Sequence, residues 1–304
     1  MPTPVFLVMP EWQGSSSSRA MRIAEGANLL REDLPVAARV DVDVPLEAGD
    51  SMGTPVARLS SLISARDAAR TALSAAAGRG SAESDAGDDR ADTDPRVPIV
   101  LGGDCASSLA GLERAAAAPG SLAVLWFDAH PDLQHPSTSP SGAASGMTLR
   151  HALGDGAPDL SSMHPIDPAR LLLVAAREID PEEAGEIERR KIAKLVATPD
   201  ADPEAFASQV VAALGDADRL YIHLDLDVLD PAEFAAVHTS VPFGLSVAQL
   251  AAAIRAAVGA VPLAGAAICE FAPADESAAA EDQPTVLRLL AALTSGMSRA
   301  SAPS

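Results

Sequence analysis

Residues 122–132 read LAVLWFDAHPD. Six consecutive apolar residues predict a strand buried on both faces. The abrupt change to Asp128, His130 and Asp132 predicts that this strand ends where a polar cleft opens. Outward from here the same alternation repeats. Apolar runs at Val5–Met9, Arg39–Val44, Val97–Leu101, Leu171–Ala175, Lys194–Ala197, Leu220–Leu224 and Gly265–Glu270 read as further strands. Between them lie stretches with helical spacing, among them Pro55–Ala77, Pro203–Leu214, Val247–Val258 and Pro284–Leu293. Strand–helix alternation predicts an α/β fold with a parallel sheet of about eight strands covered by helices on both faces. No repeat or linker divides the chain, so residues 1–304 read as one domain. The acidic stretch GRGSAESDAGDDRADTDP, residues 78–95, reads as a solvated, mobile loop that carries no site. The C-terminal tail reads as short and flexible.

Composition narrows the function class. Hydrophobic residues make up 48% of the 304, enough for a full core, and no apolar run reaches the roughly 18 residues that span a bilayer. A net charge of −20 argues against an electrostatic grip on nucleic acid or anionic lipid. Two cysteines, Cys105 and Cys269, imply no disulfide framework. The start, MPTPVFLVMPEWQG, lacks the basic region and small-residue cleavage site of a secretory signal. A cytoplasmic enzyme or binding protein is expected.

Polar residues cluster where strands end. Asp104 and Cys105 follow the third strand and Arg177 to Asp180 the fifth; Asp225 and Asp227 close the seventh, and Glu270 the eighth. Open α/β sheets bind ligands at the carboxyl ends of their strands, so these clusters predict one shared cleft. Asp128, His130 and Asp132 alternate, which lets extended backbone aim several side chains into one pocket. Asp225 and Asp227 repeat the device, with Asp230 beyond them. Carboxylates with an imidazole suit Mn, Zn or Fe. Such residues can also be plain loop-capping carboxylates, a reading that weakens when two such blocks follow two buried strands.

Taken in order, LGGDC, DAHPD, SGAASGM, REIDPEE, DLDVLDP and ICEFAP resemble the signature blocks of the ureohydrolases, the arginase, agmatinase and formiminoglutamase family, over about residues 98–273. The resemblance implies a three-layer α/β/α sandwich around an eight-stranded parallel sheet. It also implies two Mn²⁺ ions per subunit, sharing a hydroxide that attacks the carbon of a guanidino or amidino substrate. Asp128 and Asp225 match the bridging carboxylates. Asp132 with Cys105 would complete one metal site, and His130 with Asp227 the other. Asp230 would steady the hydroxide, and Glu270 would hold the guanidinium. The loop from Asp128 to Ser145 is closer to arginase than to agmatinase. Ser141 matches a contact to an amino acid's carboxylate, and Asp180 a residue near its ammonium group. Gln134 and Ala143 stand where arginase has asparagines. Homo-trimers or hexamers are implied as well.

Two positions depart from the pattern. Cys105 stands where arginases and agmatinases have histidine, and a thiolate suits Zn or Fe better than Mn; some relatives acting on Nω-hydroxyarginine share the cysteine. Ser145 stands where the family has the histidine taken to shuttle protons to the leaving amine. A serine hydroxyl carries no charge change near neutral pH; His135 or His151 are the candidates to replace it. His238 is expected near the cleft mouth. His223 is expected to be a hydrogen-bonded core histidine, Cys269 a small buried hydrophobe, and His164 an uninformative loop residue. The expected activity is Mn-dependent hydrolysis of a guanidino compound such as arginine or Nω-hydroxyarginine. The alternative is a catalytically weak homologue that binds a metabolite or has a regulatory role. Hydrolysis of a formimino or amide bond is a third possibility.

Overall fold

The computed structural model describes residues 2–82, 96–198 and 201–297. The strands are β1 (Thr3–Met9), β2 (Arg39–Asp41), β3 (Arg96–Gly102), β4 (Leu122–Phe127), β5 (Leu171–Val174), β6 (Ala193–Leu195), β7 (Arg219–Asp225) and β8 (Leu263–Cys269). The helices are α1 (Met21–Glu32), α2 (Leu59–Ala82), α3 (Leu109–Ala117), α4 (Thr148–Ala152), α5 (Pro181–Arg190), α6 (Pro203–Ala213), α7 (Val247–Ala260) and α8 (Glu276–Leu293). All eight expected strands form. They make one parallel sheet in the order β2-β1-β3-β8-β7-β4-β5-β6.

Both faces of the sheet are covered. On one, Leu101, Leu125, Ile222 and Leu224 pack with Leu30 of α1, Phe206 of α6, Leu250 of α7 and Leu289 of α8. On the other, Val5, Leu7 and Val100 meet Ala65 and Leu73 of α2, while Trp126 and Leu173 meet Leu112 of α3, Leu149 of α4 and Ile187 of α5. This is the three-layer α/β/α sandwich that the consecutive apolar strands require.

Three boundaries differ from the expected ones. α8 begins at Glu276 rather than Pro284, because the Asp275 carboxylate accepts from the amide of Ala278 and caps the earlier start; Pro284 lies inside the helix. β2 stops at Asp41. α2 runs from Leu59 to Ala82, so the opening of the stretch read as an acidic loop is helical; its residues 83–95, and tail residues 298–304, lie outside the described residues. Among the described residues no helix is long and apolar enough to cross a membrane.

Strand ends are tied together at Gly103. Its amide donates to Met9 at 2.8 Å, and its carbonyl accepts from Glu270 at 2.8 Å, linking β1, β3 and β8. A Cβ on Gly103 would lie 1.5 Å from the Glu11 carbonyl oxygen. Gly103→Ala is therefore expected to destabilise the protein by about 1–3 kcal/mol, the usual range for overpacking. Chemical denaturation checks this; a loss below the error of the measurement would refute the close approach.

Candidate metal centre

Cys105 opens a 3-10 turn after β3, capped by the Asp104 carboxylate through the amide of Ala106. Asp128 follows β4, Asp225 ends β7, and Glu270 follows β8. In the sheet these four strands are neighbours, in the order β3-β8-β7-β4. Residues far apart in the chain therefore converge.

Each acid is held in place by backbone or ring donors. The Asp128 carboxylate accepts from the His130 amide at 2.7 Å and from the Trp126 indole at 3.1 Å. Asp225 accepts from the Asp227 amide at 2.8 Å, and Asp227 from the Ala129 amide at 3.0 Å. The His130 imidazole bridges Asp227, 2.9 Å from Nδ1, and Asp128, 3.4 Å from the same atom. The Cys105 thiol donates to Asp225 at 3.1 Å. Asp132 and Glu270 adopt left-handed backbone, with φ of 51° and 67°, which turns both chains sharply at the cleft. Such strained positions in non-glycine residues cluster at functional sites.

Donor atoms gather in overlapping sets, each within 4.8 Å: Asp128, His130 and Asp227; Cys105, Asp225 and Glu270; and Cys105, Asp128, Asp132 and His223. Asp128, Asp132, Asp225 and Asp227 are all buried, with the His130 and His223 imidazoles among them, and the buried Asp132 Oδ2 has no hydrogen-bond partner. Buried like charges need a cation close by. The donor set, carboxylates with imidazole and thiol, fits divalent transition metals.

Beside these residues opens a cleft of about 480 Å³, whose wall includes Gln134, Ser141, Ala143, Ser145 and Glu270. It also includes Glu183, the Ser15–Ser18 loop and His238. Three expected site residues do not join the wall: Asp128, fully buried among the other acids, and Asp230 and Asp180. The Asp230 carboxylate accepts from the amides of Ala232, Phe243 and Gly244, so it braces the loop behind the cleft. Asp180 caps α5 by accepting from the Glu183 amide, and touches Gln134 only at 3.5 Å.

Neither candidate to replace the missing imidazole reaches Ser145's side of the cleft. His135 bonds Ser137 away from it, and His151 is fully buried against Gly156. His223 is buried, but it is not the hydrogen-bonded histidine expected: neither ring nitrogen has a partner. Cys269 is a buried core residue as expected. Sequence reading missed Glu183, whose carboxylate accepts from the Leu133 and Asp180 amides, and Ser15–Ser18, held by Asp104 through the Gly14 amide. The REIDPEE block contained Glu183, but capping-box spacing disguised it as a purely structural residue.

Burial raises the Asp128 carboxyl to about 7, with the Asp227 charge adding to the effect. Burial opposes a charge on His130, but its bonds to Asp128 and Asp227 outweigh this and carry it to about 12. A group with a folded-state pKa above its unfolded value stabilises fully below the unfolded value. That contribution is lost as pH rises towards the folded value. For His130 the loss begins near 6.5; for Asp128 it is complete near 7. The EDTA-treated protein should therefore lose stability from pH 6.5 to 8.5, by up to about 1.4 kcal/mol per pH unit for each proton retained only when folded. Thermal melts in EDTA check this; a melting temperature that rises over this window would contradict the charge arrangement.

Comparison with known proteins places this geometry. The chain is 32% identical over 158 residues to the arginase of Staphylococcus aureus strain COL, covering 50% of this chain and 52% of that protein. The chain thus spans about half the length of the curated relatives it matches. The Entamoeba histolytica arginase structure superposes with a TM-score of 0.77 at 23% identity, covering 96% of this chain and 99% of that one. The formimidoylglutamase structure from Bacillus subtilis superposes with a TM-score of 0.71 at 17% identity, covering 98% and 87%. Since the Arginase family model matches residues 13–293, almost the whole chain, this protein belongs to the arginase family.

Proposed function

We propose that this protein is a metal-dependent hydrolase of a guanidino compound. The observation that carries the reading is the convergence of the buried Asp128 with Cys105, His130, Asp132, Asp225 and Asp227, the last five of which line one cleft. In this reading Asp128 and Asp225 with His130 and Asp227 would hold one ion, and Asp128 and Asp225 with Asp132 and Cys105 would hold a second. Two ions of the Mn²⁺ class held there would generate a hydroxide nucleophile near neutral pH.

The chain's own side chains do the rest. Glu270 is positioned to take a planar cation with paired N–H groups through both carboxylate oxygens. Ser141 and Gln134, further along the wall, suit the polar end of an amino-acid substrate. Asp180 reaches that end only indirectly, through Gln134, and Asp230 supports the turn that closes the floor. Ser145 lines the cleft at the position to which the family resemblance gives proton transfer to the departing amine, and it has no titratable group to offer. The imidazole at the cleft besides His130 is His238, on the mouth side. This favours a substrate whose scissile C–N bond expels a less basic nitrogen than an alkylamine, such as the hydroxylamine side of an Nω-hydroxyguanidine. The same observation favours the second reading, a catalytically weak homologue that binds a metabolite.

Two measurements test this. The purified protein should contain divalent metal, and EDTA should lower its melting temperature by mass-action linkage, worth about 4 kcal/mol when free metal exceeds its Kd 1,000-fold. Absence of metal with an unchanged melt would sink the hydrolase reading. Hydrolysis, read as urea, hydroxyurea or hydroxylamine release, should favour Nω-hydroxyarginine over L-arginine, with hydroxylamine the product that the missing imidazole favours. Ser145→His should raise the rate on L-arginine more than on the hydroxylated substrate, within the ~10²–10⁴-fold that general acid catalysis contributes. Fast native turnover of L-arginine would show that Ser145 is no handicap, and inactivity of both variants with metal bound would favour the binding role.

A further inference from the structure

His223 sits on β7 two residues before Asp225, so the alternation of the strand directs both to one face. Ile222 and Leu224 point the other way, into the opposite core. The His223 ring is fully buried and stacks flat on the Trp126 indole, with centroids 3.6 Å apart and planes 7° from parallel. Burial of a polar ring in a protein core normally comes with at least one hydrogen bond, because an unpaired buried donor or acceptor is costly. Yet neither His223 nitrogen has a partner. A second buried atom nearby, Asp132 Oδ2, is unpartnered too. Both residues belong to one donor set with Cys105 and Asp128, whose ligand atoms all lie within 4.8 Å of one another.

Stacking explains the ring's orientation but satisfies neither nitrogen. An ion at the centre of this set would satisfy a His223 nitrogen and Asp132 Oδ2 at once. Zn–S distances of about 2.3 Å and Zn–N distances of about 2.0–2.1 Å put tetrahedral donors roughly 3.3–3.8 Å apart, which small side-chain adjustments from the observed spacing reach. Thiolate with imidazole and carboxylate is a donor set for Zn²⁺ or Fe²⁺ rather than Mn²⁺.

We propose that His223 is a metal ligand, and that Cys105, His223, Asp128 and Asp132 together hold one thiophilic divalent ion, Zn²⁺ in the first instance. This rests on the hydrolase reading in so far as it places a metal in the same cleft, and it changes the character of that centre. The imidazole absent from position 105 enters from β7 instead. The centre is then asymmetric, with a sulfur-containing inner site and an oxygen-rich outer site at His130 and Asp227. Mn²⁺ added to the protein would populate the outer site and leave the inner ion in place.

X-ray absorption at the Zn edge, on chelated full-length protein given one equivalent of Zn²⁺, tests the assignment. The native protein and His130→Asn should both show one sulfur near 2.3 Å and one imidazole on the same ion. His223→Gln should keep the sulfur, lose the imidazole and bind Zn²⁺ at least ten-fold more weakly. If imidazole scattering vanishes in His130→Asn, or if His223→Gln binds Zn²⁺ as tightly as the native protein, His223 is not a ligand, although the centre of the hydrolase reading survives. Zn²⁺ bound without sulfur overturns the inner site alone. No Zn²⁺ or Mn²⁺ bound at all overturns both readings. Should His223→Gln fail to fold, the His130→Asn spectrum alone decides.

Discussion

Everything about this molecule depends on keeping several buried carboxylates close together without solvent. Asp128, Asp132, Asp225 and Asp227 are each at most 5% exposed, and the titratable cation set among them is His130. Like charges in a low-dielectric site repel strongly, and that repulsion would open the strand ends if nothing opposed it. Backbone amides of Ala129, His130 and Asp227 and the indole of Trp126 all donate to these acids. Those donors orient the oxygens but neutralise no charge, so a divalent ion is the natural complement of the cluster.

The scaffold around the cluster is built to resist that repulsion. The Arg177 guanidinium donates to the carbonyls of Asp227, Val241 and Pro242, which pins the loop after β7 to the loop after β5. Asp104 reaches back to the Gly14 amide and fixes the serine-rich loop over the cleft. Gly103 lets β1, β3 and β8 end within hydrogen-bond distance of one another. Each tie lies at the carboxyl edge of the sheet. The opposite edge has a tie of its own, Arg219 donating to the carbonyls of Ala115, Ala118 and Gly120, but among the described residues the metal-type donor sets lie at the carboxyl edge.

Cys105 and Ser145 are the two positions at which this chain departs from the ureohydrolase pattern. Cys105 is buried, and burial together with the Cys269 thiol and the Asp225 and Asp132 charges holds its thiol well above the usual range. Coordination is the means by which such a thiol loses its proton, since a bound ion replaces the proton's charge. Ser145 lines the cleft, while His151, buried against Gly156, does not.

The sequence by itself determined the strands and most of the acidic cluster's residues. Consecutive apolar residues in LAVLWF report burial on both faces, and a polar residue immediately after such a run marks a strand end. That is local information. The order of strands is not: β3, β4, β7 and β8 are scattered in the chain but adjacent in the sheet, and only the folded topology brings Cys105 to Asp225. Fine aim was likewise hidden. Asp230 and Asp180 look like site residues by spacing, yet backbone amides that only the fold positions claim their oxygens. Glu183 and His223 look structural by spacing, yet one lines the cleft and the other faces the ligand cluster with both nitrogens unpaired. A residue's type and period say which face it occupies; which partners wait on that face depends on distant segments, and that is settled only by tertiary packing.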